Sequence, residues 1–350
     1  MSTKTLLRDI PGRIIWRLPL SFRIANLFGS DYTLRCVIFH DIGDCPSAFT
    51  DGLGVTLSRR DFEARIRFLS KYYSPVGLQE ILAAPEGRKL PPRPVLVTFD
   101  DAYASVALEA GPICQRYGIP ALFFVNASLV GNQDLALDNL VCYVANTLGI
   151  KTINRVARDL VHWKYPELAS LRQLFNEFLP TLSLDNRREF RARLASAAGI
   201  HTTEVAREAQ LYISPDQLQS LVSSGFDIGN HTYSHVNCRI LSGSDFDEEI
   251  YSNKRALEAI VDRKVRAFSV PYGSSADLGR ELLMHLRRSG HEAVFVVESL
   301  PNTPETDFYH LYRVSVRART DADFFGEVEI LPRFRSIRGR LSRKLAGPVQ

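Results

Sequence analysis

Val95-Leu96-Val97-Thr98-Phe99-Asp100-Asp101 is a continuous apolar run that stops on two adjacent acids. Its residues are mostly β-branched or bulky and Pro94 precedes them, so the run reads as a strand. Apolar and polar positions do not alternate in it, which marks a strand buried on both faces, as in a parallel sheet. The same rhythm recurs outward. Residues 34–39 form an apolar strand ending at His40-Asp41, and 121–125 form another. Residues 226–229 lead into His231, and 267–270, 293–297 and 313–316 complete the set. Helical spacing fills the gaps: Phe62, Ile66 and Leu69 share one face of 61–72, and 104–117 closes at Gly118. Ser214 and Pro215 open a further helix as N-cap and first turn, and 245–261 and 276–288 are helical. Alternating strands and helices give an α/β fold with a parallel sheet. Chemistry-bearing residues stand just after strands, on the rim of a β/α barrel or the carboxyl edge of an open sheet.

The second informative stretch is Gly229-Asn230-His231-Thr232-Tyr233-Ser234-His235, with two histidines four apart. Two histidines and one aspartate make a facial ligand set for a divalent cation, with positions left open. The other aspartate is then free to handle a proton during metal-assisted hydrolysis.

Residues 129–212 break the rhythm. They are long, polar and helix-forming, with helical spacing at 171–179 and 186–197. They read as a helical insertion, a lid or substrate wall in which nothing demands chemistry. His162, Trp163 and Tyr165 are sugar-stacking candidates there, although core packing or plain surface accounts for them better.

Thr98-Phe99-Asp100-Asp101 followed by His231-Thr-x-x-His235 resembles the polysaccharide deacetylase family, carbohydrate esterase family 4, the NodB-homology group. Ser269-Val270-Pro271-Tyr272-Gly273 lines up with its third motif. The resemblance runs from about 34 to 316, apart from the insertion. It implies a distorted (β/α)7-type barrel with a helical insertion and the removal of acetyl groups from sugars. It also implies Asp101, His231 and His235 as metal ligands, Asp100 as general base, and the backbone N–H of Tyr272 as oxyanion donor. Zinc is the implied ion, with cobalt, nickel or iron(II) as alternatives.

Three departures stand out. Ala102 replaces a usual glycine, so the turn is expected to differ slightly or to be permissive. Ser269 stands where many members have the arginine that orients the base, and Arg313 in His310-Leu-Tyr-Arg-Val is the candidate for that task. The C-terminal L-x-H motif that supplies the family's general acid is absent, since His291 and His310 do not sit in one. Phe39-His40-Asp41 resembles the Y-H segment of a permuted branch that includes biofilm poly-N-acetylglucosamine deacetylases, which makes His40 the candidate general acid.

The implied activity is metal-dependent N-deacetylation of an amino sugar in a cell-envelope polysaccharide, glycolipid or lipid-linked precursor. Alternatives are an amidase on a non-sugar amide and a catalytically silent glycan-binding module. Hydrophobic content of 45% and charged content of 23% are ordinary for a globular chain. Five scattered cysteines without a CxxC pair argue against a disulfide framework. There is no run long enough for a transmembrane helix and no convincing signal peptide. The net charge of +4 hides an asymmetry. The stretches 1–25 and 333–350 hold eleven basic residues and one acid, leaving 32 basic and 38 acidic residues between them. Three segments follow: a basic amphipathic stretch at 1–30, a deacetylase domain at 31–325 and a basic tail at 326–350. The basic ends suggest peripheral contact with an anionic membrane at its cytoplasmic face, and the acidic body argues against nucleic acid.

Overall fold

In a computed structural model, residues 13–18, 21–27, 30–84, 89–161, 167–317 and 320–337 are described. His162, Trp163 and Tyr165 lie outside them, as do the basic residues beyond 337. Eight short strands run as one parallel path. They are β1 (Arg35–Phe39), β2 (Pro94–Phe99), β3 (Ala121–Val125), β4 (Asp227–Asn230), β5 (Ala267–Ser269), β6 (Ala293–Val296), β7 (Leu311–Tyr312) and β8 (Val314–Ser315). The spatial order is β7-β6-β5-β4-β3-β2-β1-β8. The apolar runs that define β1, β2 and β3 are buried along their whole length, as strands covered on both faces must be.

The path closes through one short stretch. Leu311 and Tyr312 pair with Phe295 and Val296, while Val314 and Ser315 pair with Val37 and Ile38. Only Arg313 separates these two pairings, so 311–315 acts as a seventh stave that changes partner at its centre. The result is the nearly closed (β/α)7-type barrel that the resemblance implies.

Helices cover the outside. Helix α1 (Arg59–Tyr72) starts at Ser58, whose side chain accepts from the Asp61 amide, and buries Phe62, Ile66, Phe68 and Leu69. The insertion carries α2 (Leu137–Leu148), α3 (Ile150–Val161), α4 (Leu184–Ala198) and α5 (Thr202–Ala209). Helix α6 (Pro215–Ser223) has Ser214 and Gln217 in a reciprocal cap, and α7 (Asn253–Val261) and α8 (Arg280–Arg288) follow. The insertion packs a core of its own around Leu140, Phe178, Phe190 and Tyr212. These buried side chains hold its described helices to one another.

The boundary expected at 325/326 falls inside a helical segment. Asp321–Phe325 runs on into Gly326–Ile330, with Phe324, Phe325, Val328 and Ile330 buried against the main core. Glu329 pairs with both Arg35 and Arg333 in a buried cluster beneath β1. The basic tail as drawn from charge alone therefore begins too early, because alternating Phe, Val and Ile hold this stretch to the barrel. The preceding stretch at 13–27 docks on the same side, with Trp16 against Phe68, Tyr72 and Phe325.

Candidate metal centre and active site

Chemistry gathers on the rim formed by the carboxyl ends of the strands. His40 follows β1, Asp100 and Asp101 follow β2, His231 follows β4, and Tyr272 follows β5. These residues line one cavity of about 460 Å³. The structure thus brings His40, Asp100, Asp101, His231, His235 and Tyr272 together, with Arg313 immediately behind Asp100.

The rim is built from unusual backbone. Nine non-glycine residues among those described have positive φ, and five lie in these motifs: Asp101, Ala102, Thr232, His235 and Tyr272. Such conformations cost energy and persist where surrounding contacts impose them. Ala102 sits at φ 57°, so the turn keeps a left-handed form without its glycine. The amide of Ile213, at the end of the insertion, donates to the Ala102 carbonyl at 2.8 Å and holds the turn in place.

The arrangement of the two histidines fixes where their ligand atoms face. His231 Nδ1 lies 2.8 Å from the Ser269 carbonyl oxygen, and His235 Nδ1 lies 3.0 Å from Asp138 Oδ2. A ring nitrogen facing an acceptor carries the proton, so each neutral ring presents a bare Nε2. Both Nε2 atoms face Asp101 Oδ1, at 3.3 and 3.2 Å. That oxygen is buried and has no hydrogen-bond donor of good geometry. Asp101, His231 and His235 thus offer three ligand atoms, all within 4.8 Å of one another. Three converging acceptors call for a positive charge, and this donor set fits a divalent cation. Burial alone would lower the His235 pKa, but Asp101 and Asp138 override it and raise it to about 10.

Asp100 occupies a different environment. Arg313 is fully buried and grips it with both ends of the guanidinium, Nη1 to Oδ1 at 2.7 Å and Nη2 to Oδ2 at 2.8 Å. Arg313 also donates to Ser269 Oγ at 2.5 Å and to Thr98 Oγ1 at 3.2 Å, and its guanidinium lies over the Phe124 ring. Gly229 makes room for that ring: a Cβ there would meet Phe124 Cδ1 at 2.3 Å. Burial pushes the Asp100 pKa up, but Arg313 and His231 outweigh it, and the carboxyl ends below its ordinary value. It is held as the anion, ready to accept a proton.

Two residues without an expected role complete the site. Asp138, in the first turn of α2, accepts a hydrogen bond from His235 Nδ1–H and a short one from the Tyr272 hydroxyl. The expectation that nothing in the insertion demands chemistry is therefore corrected. The available signal was an acid at the head of an otherwise apolar run, Ala136-Leu137-Asp138-Asn139-Leu140-Val141. Ser269 fills the place of the missing arginine with two smaller contacts, its carbonyl to His231 and its hydroxyl between Arg313 and Asp100. His291 and His310 stand apart. His291 is buried against Asn230 and Ser289, and His310 bonds Ser275.

The family model described as polysaccharide deacetylase matches residues 87–293. The chain belongs to the polysaccharide deacetylase family. It is accordingly a hydrolase of carbohydrate esterase family 4, a glycan N-deacetylase. Several solved structures share its fold at low identity. The Streptococcus pyogenes deacetylase PplD is 13% identical, with a TM-score of 0.56 over 85% of this chain and 98% of its own. IcaB from Ammonifex degensii is 21% identical, with a TM-score of 0.54 over 87% and 98%. A polysaccharide deacetylase from Bacillus cereus is 14% identical, with a TM-score of 0.54 over 85% of this chain and 69% of its own. No curated protein matches the chain in sequence.

Proposed function

We propose that this deacetylase is metal-dependent and removes N-acetyl groups from an amino sugar of a cell-envelope polysaccharide, glycolipid or lipid-linked precursor. The observation that carries this reading is the division between the two neighbouring acids. Asp101 faces two bare imidazole nitrogens, while Asp100 is clamped by Arg313. Asp101, His231 and His235 would hold the ion, zinc or else cobalt, nickel or iron(II). A divalent cation bound there polarises the acetyl carbonyl and acidifies water.

The chain's own residues supply the rest. Asp100 accepts the proton of the attacking water, and Arg313 keeps its carboxylate ionised and aimed. The backbone N–H of Tyr272 donates to the developing oxyanion. His40 returns a proton to the leaving amine. Burial lowers its pKa below the ordinary value against the opposing pull of Asp101 and Asp100, which makes it a strong donor whenever it is charged. Asp138 holds His235 and Tyr272 in register.

The termini support a peripheral membrane location. Ile14, Leu18, Leu27 and Phe334 expose 57, 44, 79 and 43% of their surface. They share their segments with Arg17 and Arg23, and Arg13 pairs with Asp323. No helix among the described residues is long and apolar enough to cross a membrane. Contact with an anionic cytoplasmic leaflet suits this mixture of exposed apolar and basic side chains. It would keep the enzyme near lipid-linked intermediates.

The decisive experiment is acetate release from a panel of N-acetylated glycans, with the protein stripped of metal and then reloaded with zinc, cobalt or nickel. Release that depends on the ion and on N-acetyl amino sugars supports the reading. Equal release by the stripped protein, or turnover confined to non-sugar amides, would overturn it.

A further inference from the structure

We propose that the cavity takes an anionic substrate, with Arg187 as the residue that binds a phosphate or carboxylate carried beside the N-acetyl sugar. The inference rests on the deacetylase reading above and adds the charge of its substrate.

Three acids line the cavity, and each has a partner. Asp100 is held by Arg313, Asp101 faces the two ligand histidines, and Asp138 holds His235 and Tyr272. Two arginines line the same cavity, Arg187 from α4 and Arg317 after β8. Neither has an ion-pair partner among the described residues. Arg187 is 5% exposed, and its one side-chain hydrogen bond goes to a neutral group, the Leu179 carbonyl, at 3.2 Å. A buried guanidinium without a counter-charge is costly, and proteins retain such groups where a ligand supplies the anion.

The charge ledger agrees. With a divalent cation on Asp101, His231 and His235, the ion offsets Asp101 and Asp138, and Arg313 offsets Asp100. Arg187 then remains as a buried positive charge without a counter-charge, with the exposed Arg317 at the rim. Arg187 stands on the insertion side of the cavity, at the start of α4. The anion would therefore sit on the flank lined by Phe175, Leu179 and Arg187. A guanidinium suits either a phosphate or a carboxylate. A phosphate would come from a nucleotide- or lipid-linked sugar, a carboxylate from a uronic acid in the glycan.

The test is calorimetric binding to the zinc-loaded full chain. The probes are N-acetylglucosamine 1-phosphate, a disaccharide of glucuronate and N-acetylglucosamine, and the neutral methyl glycoside of N-acetylglucosamine. One of the anionic probes should bind at least about tenfold more tightly than the neutral one, the gain from one charge-assisted contact. Arg187→Gln should remove most of that preference at unchanged zinc content, and Arg187→Lys should keep part of it. A phosphate preference assigns a phosphorylated substrate, and a carboxylate preference assigns an acidic glycan. Equal affinity for all three probes would overturn the proposal. So would a preference that survives intact in Arg187→Gln, since the anion would then be resting on the ion. Acetate release from the neutral glycoside with no anion preference would leave the deacetylase reading standing without this inference.

Discussion

Arg313 and Asp100 meet through two parallel contacts, Nη1 to Oδ1 at 2.7 Å and Nη2 to Oδ2 at 2.8 Å, with both side chains almost completely buried. Asp100→Asn should reduce acetate release by a factor on the order of 10²–10⁴, the usual worth of a general base, while the metal content stays at wild-type level. Arg313→Lys supplies a point charge that cannot span both oxygens, so kcat should fall while zinc is still bound. Metal analysis beside steady-state kinetics decides this. Wild-type turnover in Asp100→Asn would remove the base assignment.

Removing a ligand should act on the ion first. His231→Ala, His235→Ala and Asp101→Ala are each expected to purify with far less than one equivalent of zinc. Asp138→Asn leaves the ligands in place but weakens the partner of His235 Nδ1. It should lower zinc affinity by roughly 10–100-fold, the range for such supporting groups. Competition with a chelator of known affinity reads out both effects.

His40 is best probed by changing the leaving group. An amine leaves only when protonated, whereas an activated phenolate leaves without help. His40→Gln should therefore slow release from an N-acetyl sugar by about 10²-fold or more and leave hydrolysis of an activated aryl acetate much closer to wild type. Equal losses on both substrates would assign His40 a structural role instead.

The pH dependence of stability has a contributor outside the site. Burial pushes the His291 pKa down to about 3, against an unfolded value of about 6.5. The unfolded chain binds that proton first, so this contribution to stability is complete above about pH 6.5 and is lost as the pH falls towards 3. Between pH 7 and 5 the loss is about 2 kcal/mol. In His291→Gln, denaturant midpoints should drop less over that interval, whatever the variant's own cost at pH 7. A drop of the same size in both proteins would show that His291 does not set the acid limb.

Sedimentation with anionic liposomes tests the membrane contact. Binding is expected at low salt and should weaken as salt screens the charges. A chain ending at residue 337 keeps the buried helical segment and loses Arg338, Arg340, Arg343 and Lys344. It should bind more weakly. Equal binding by both chains would take the tail out of the account.

Much of this was legible in the sequence, for identifiable reasons. Strands buried on both faces leave continuous apolar runs, so β1, β2 and β3 stand out without alignment, and the acids and histidines announce themselves by following those runs. Arg313 was reachable because Ser269 leaves an arginine's task open. Asp138 was not, because its role depends on an α2 that folds back over the rim, a contact spanning 97 residues to His235 and 134 to Tyr272. The reach of the barrel into 321–337 was missed for a related reason. Charge dominated the reading of that end, while the Phe and Val residues that dock it carry no local period strong enough to compete.

The barrel's last pairing and the grip on Asp100 are the work of the same five residues, 311–315. Asp100 and Arg313 are 213 positions apart in the chain. During synthesis, the acids and both histidines emerge long before Arg313. A nascent chain should therefore acquire its ion first and its chemistry only when the final stave seats between β6 and β1. Turnover would then report on completed folding, whereas uptake of an ion at Asp101, His231 and His235 alone would not.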